Sequence, residues 1–93
     1  MQVTVEYFSN LRDLTGRVKE EVEVNEGASV DEVLIALELK YGEKLSQCIR
    51  EGEGIKPYFK ILVNGRDIRG IDDIRTQLQP NAVLSIFPPA GGG

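Results

Sequence analysis

The sequence predicts an α+β domain, a mixed sheet wrapped around one main helix, and three stretches carry that prediction. "SVDEVLIALELKY" has a capping residue followed by an apolar stripe of helical period. "QVTVEYF" at the start alternates apolar and polar residues, as a half-buried strand does. "AVLSIF" near the end is almost entirely apolar and stops at two prolines, as expected of a strand buried on both sides.

Ninety-three residues make one small domain with a single core, so any active group is expected on the surface or at an end. A hydrophobic content of 41% is ordinary for a globular chain. The longest apolar run, "VLIAL", is far short of the roughly 20 residues of a membrane span, and the start lacks a signal-peptide pattern. A cytoplasmic protein with no membrane role is therefore expected. The net charge of −4, with no basic cluster, argues against nucleic-acid binding and serves either solubility or attraction to a basic partner. One cysteine and no histidine exclude an internal disulfide and the usual zinc sets, so neither a metal nor a bound cofactor is expected.

Along the chain, Val3, Val5 and Tyr7 share one face of the first strand. In "SNLRDLTG", Asn10 is expected to cap a helical turn that points Leu11 and Leu14 inward and stops at Gly16. "RVKEEVEV" then places Val18, Val22 and Val24 on one face with Glu21 and Glu23 opposite, a second strand pairing antiparallel with the first. Ser29 and Glu32 form a capping box for the main helix, whose stripe is Val30, Val33, Leu34, Leu37 and Tyr41. Asp31 and Glu32 in its first turn and Lys40 in its last suit the helix dipole, and Gly42 fits a left-handed stop.

A shorter helix, "EKLSQCIRE", uses Leu45, Cys48 and Ile49 at spacings of three and four, which reads Cys48 as a small core residue; no histidine exists to activate its thiol. "GEGIKP" reads as a mobile loop. "YFKILVNGRDI" is a strand, an Asn64-Gly65 hairpin turn and a short return strand. "RGIDDIRTQLQPN" is a polar connection anchored by Ile71, Ile74 and Leu78. Placing the two apolar end strands side by side in the centre, joined by a right-handed crossover, gives the β-grasp arrangement.

The body offers no chemistry of its own: no Ser/His/Asp set, no phosphate-cradling glycine loop, and in Asp72-Asp73 only a solvated carboxylate pair. The end, "FPPAGGG", is different. Three glycines are costly to order and are either a frayed terminus or a segment used outside the fold. Two prolines hold them away from the sheet, and from Phe87 to Gly93 the chain reaches roughly 20 Å, enough to enter another protein's cleft. Glycines pass a channel in which any side chain would clash. The Gly93 α-carboxylate is inert until activated. Joined to AMP it becomes a mixed anhydride open to a sulfur or amine nucleophile, which describes a carrier or a modifier. Residues 1–87 are read as the β-grasp domain and 88–93 as a flexible Gly-Gly tail.

The residues resemble the small subunit of molybdopterin synthase, within the ubiquitin-like sulfur carriers. "VEYFSNLRDLTG" is similar to the family's opening, "GASVDEVLIALELKYG" to its capped helix, "ILVNGRDI" to its hairpin and "LSIFPPAGGG" to its ending, with Gly91 at a variable position and Gly92-Gly93 in register. The resemblance implies that an E1-like adenylating enzyme uses ATP on Gly93, that sulfur then gives a thiocarboxylate, and that the tail inserts into the large synthase subunit. There the sulfur passes to a pterin precursor to build the molybdopterin dithiolene, with catalytic groups supplied by the large subunit. Archaeal small modifiers and ubiquitin-related modifiers look alike and join the terminal glycine to target-protein lysines. Thiamine sulfur carriers also end in Gly-Gly but are usually shorter. By resemblance, and by their places at the ends of the apolar strands and the hairpin, Phe8, Phe87 and Ile68 are expected to form a docking patch beside the tail, with Gly91 and Gly92 gripped by the partner.

Overall fold

The fold was obtained as a computed structural model that describes residues 1–89. Strand β1 (Gln2–Tyr7) buries Val3, Val5 and Tyr7 on one face. Strand β2 (Lys19–Glu23) pairs antiparallel with it, Val3 opposite Val22 and Val5 opposite Glu20. The final strand β7 (Val83–Phe87) lies parallel to β1 on its other side, Val5 opposite Leu84 and Tyr7 opposite Ile86. Strand β5 (Lys60–Val63) pairs antiparallel with β7, and β6 (Arg66–Asp67) closes the order β2-β1-β7-β5-β6. The two apolar end strands thus occupy neighbouring inner positions. In β7 three consecutive residues, Leu84, Ser85 and Ile86, are buried, as its almost entirely apolar sequence leads one to expect.

Helix α2 (Val30–Tyr41) packs its apolar stripe into the same core as the inward residues of the sheet. The Ser29 hydroxyl oxygen accepts from the Glu32 amide at 3.2 Å, which satisfies one of the helix's orphan donors. Val30, Val33, Leu34 and Leu37 are buried against the sheet and Tyr41 is half-buried. Gly42 ends the helix with φ 84 and ψ −166, not in the left-handed helical region expected, but in an extended mirror region that is equally reserved for glycine. That conformation lets helix α3 (Glu43–Ile49) start at once and deliver Leu45 and Ile49 to the core.

Other expectations need correction. Helix α1 (Asn10–Thr15) begins at Asn10 instead of being capped by it: Ser9 holds the cap position, with φ 55 and no side-chain capping bond. Gly16 does close this helix in the left-handed region, and Leu11 is fully buried. "GEGIKP" is not a mobile loop throughout, because Gly54–Ile55 (β4) pairs with Arg50–Glu51 (β3) in a small separate hairpin. Val18 precedes β2 and is 59% exposed, whereas Glu20 takes the buried position on that face. In the connection between β6 and β7, two short 3-10 turns (Ile68–Gly70 and Asp73–Arg75) leave Leu78 in the core and Ile74 packed against it, but Ile71 is exposed and anchors nothing.

Candidate functional site at the base of the tail

Phe8 follows β1 and Phe87 ends β7, and the parallel register that pairs Tyr7 with Ile86 sets the two phenylalanines side by side. Tyr7 and Ile86 point into the core, so by strand alternation Phe8 and Phe87 lie on the opposite, open face of the sheet. Their rings are stacked, with centroids 4.2 Å apart and planes 14° from parallel, and both residues are half-buried. Such a pair is stabilised by stacking yet keeps apolar surface in water. Pro88 and Pro89 leave from this point, beside a shallow cleft lined also by Tyr58, Lys60 and Leu62. Tyr58 is 80% exposed, a large ring with nothing covering it.

Phe8 and Phe87 therefore stand together at the base of the tail, as the sequence suggested. Ile68 does not join them. It is 2% exposed and belongs to the core, because the Asp67 carboxylate accepts from the Arg69 amide at 2.9 Å and winds the chain into a tight turn directly after β6. Its apolar side chain is consumed by folding. Gly91, Gly92 and Gly93 lie outside the described residues. Cys48 lines a second cleft against the prolines, partly buried, and burial pushes its thiol up despite the opposing pull of Lys56. A thiol of that kind is protonated at neutral pH and a poor nucleophile.

The body contains one notable polar centre that the sequence reading passed over. Glu20 has a side chain only 3% exposed, and it accepts from Tyr7 Oη at 2.6 Å, from Lys40 Nζ at 2.6 Å and from Tyr41 Oη. Burial pushes this carboxyl up, but the three donors outweigh burial and hold it below the usual carboxylate range. The same contact, after burial, pushes the Tyr7 hydroxyl up. Tyr7 and Tyr41 also meet edge to face, their ring centroids 6.3 Å apart. The signal was there in parity: in "KEEVEV", Glu20 shares its face with Val22 and Val24. A buried carboxylate held by three donors ties β2 to the end of α2, and its lowered pKa makes it a weak base. Elsewhere along α2, Arg50 is likewise bound by Glu38 and Asp31, each at 2.8 Å.

A β-grasp domain with its ionisable interior locked in structural pairs, and an apolar patch where the last strand releases the chain, defines the class of ubiquitin-like carriers. The chain belongs to the ThiS family, which matches residues 5–93. It is similar to small archaeal modifier protein 3 of Haloferax volcanii, 32% identical over the full length of both chains. Among solved structures it resembles a protein of Pyrococcus furiosus assigned as subunit 1 of molybdopterin converting factor, at 32% identity and a TM-score of 0.76, covering 96% of this chain and 98% of that one. It also resembles a chain of the Amycolatopsis orientalis BexX/CysO complex, at 26% identity and a TM-score of 0.81, covering 98% of this chain and 99% of the other. No described helix is long and apolar enough to cross a membrane.

Proposed function

We propose that this chain carries sulfur on its terminal glycine and serves as the small subunit of molybdopterin synthase. The observation that carries the reading is the ending: β7 stops at Phe87 within an apolar patch, and the sequence continues with two prolines and a glycine terminus. An adenylating enzyme joins the Gly93 carboxylate to AMP and releases pyrophosphate from ATP. A sulfur nucleophile then attacks the acyl carbon and AMP leaves, so that one carboxylate oxygen is finally replaced by sulfur. The stacked phenylalanines hold the body on the partner while the glycines thread its channel, and the large synthase subunit supplies the groups that pass sulfur to the pterin precursor. The similarity to the Pyrococcus furiosus protein supports the molybdopterin assignment. Mixing the chain with its adenylating enzyme and ATP should release pyrophosphate, and Gly92→Val should abolish this, because a β-branched residue restricts the backbone and blocks a glycine-sized channel. Undiminished activation of that variant contradicts the channel.

The full-length similarity to small archaeal modifier protein 3 favours a second reading, in which the same activated Gly93 is passed to a lysine amine of a target protein. Both readings share adenylation and differ in the nucleophile. Thiocarboxylate on the free chain marks the carrier, and lysine-linked adducts of higher mass mark the modifier.

A further inference from the structure

The surface around the tail's base carries a charge pattern opposite to that of the whole chain. The net charge is −4, yet the two clefts that flank Pro88 and Pro89 are lined by Lys56 and Lys60 and by no carboxylate. Arg12 adds a third cation from helix α1. Its guanidinium lies over the Phe8 ring, 5.2 Å from the centroid, and its Nε donates to the Tyr7 carbonyl oxygen at 2.9 Å. The ring contact and the Nε bond hold the guanidinium in place, while Nη1 and Nη2 have no partner among the described residues. Arg50, by contrast, is captured by two carboxylates. Glu6, on the same open face as Phe8, is engaged by the Ser85 hydroxyl, which donates to it at 2.9 Å. Lys60 sits opposite Phe87 in the sheet register, exposed and likewise without a partner among the described residues.

An arginine already held through Nε and its ring face loses little further freedom when its terminal nitrogens meet a carboxylate. An unpaired lysine across the exit point leaves the apolar patch with a free cation on each side, Arg12 and Lys60, while the Glu6 carboxylate lies farther along the same face. We propose that the adenylating enzyme receiving the tail presents an acidic rim around its channel, one carboxylate taking the Nη1 and Nη2 donors of Arg12 and another meeting Lys60. This rests on the tail-delivery reading above and adds the chemistry of the partner's surface. A partner whose rim is neutral or basic is the competing outcome.

The test is the affinity of the full chain for the adenylating enzyme of the same cells, measured by calorimetry for the wild type and for Arg12→Gln, Lys60→Glu and the double variant. Lys60→Glu breaks no side-chain hydrogen bond or ion pair within the described chain, so it remains informative if Arg12→Gln loosens Phe8. Each single change is expected to weaken binding about tenfold and the double change more, with the wild-type affinity falling as salt rises and the double variant's nearly flat. Arg12→Lys should recover part of the loss. Unchanged affinity in Lys60→Glu and the double variant, or no binding by the wild type, overturns the inference. Pyrophosphate release in the same mixtures separates the two ideas: charge-dependent binding without release counts against tail activation and leaves the acidic rim standing.

Discussion

A phenylalanine ring half out of water contributes to two equilibria, folding and binding, and truncation divides its effect between them. Phe8 and Phe87 stack at the tail's base outside the core. Phe8→Ala and Phe87→Ala are therefore each expected to cost less stability than the roughly 3 to 5 kcal/mol of a fully buried phenylalanine. Each should lose about 2 kcal/mol or more of affinity for the tail-receiving partner. Thermal unfolding measured beside calorimetric binding checks the division; early unfolding with normal affinity of the folded fraction would make both rings purely structural. Glu20 makes the opposite case, a charge spent wholly on folding. Its pKa is lowered in the fold, so its stabilisation is complete above the unfolded carboxyl value of about 4.3 and is lost as pH falls through the lower folded value. Glu20→Gln should cost about 2 kcal/mol at neutral pH. The melting-temperature gap between the variant and the wild type should then close in acid below about pH 4; a gap independent of pH would mean that Glu20 is not ionised in the fold. This residue escaped a sequence reading because three of the five residues of β2 are glutamates, and only parity with Val22 distinguishes the buried one.

At the scale of elements, legibility followed length and period. Helix α2 was readable because twelve residues repeat its stripe three times and a serine marks its start. Ser29→Ala is expected to cost about 1 kcal/mol in denaturant unfolding, the usual loss for an N-cap. The β5–β6 turn was readable from Asn64-Gly65 alone, since both residues have positive φ, 49 and 86. A Cβ at Gly65 would meet nothing within 4 Å, so Gly65→Ala should cost about 1 kcal/mol by backbone strain alone, and a neutral result would contradict the turn geometry. The β3–β4 hairpin was not readable, because two-residue strands have no alternation to detect and its glycines and charges look like a loop. Ile68 and Ile71 show the same limit. Three residues apart in one polar connection, they are core and surface respectively, and only the turn after Asp67 decides which.

For the molecule as a whole, the proposed function divides the labour between a body that docks and an end that reacts. The body's ionisable interior is committed to structure, Glu20 to Tyr7, Tyr41 and Lys40, and Arg50 to Glu38 and Asp31. On the proposed reading the reacting group is the α-carboxylate of Gly93, which lies outside the described residues. Deleting Gly93 should thus leave thermal unfolding unchanged and abolish sulfur transfer. The intact mass of the protein from its native cells, compared with the Gly93 deletion expressed in the same cells, tests the central claim most directly. The account expects a full-length species heavier by one oxygen exchanged for sulfur and no such species from the deletion. A full-length chain found only with its unmodified mass or only in lysine-linked adducts, or a deleted chain that still gains sulfur, would contradict it.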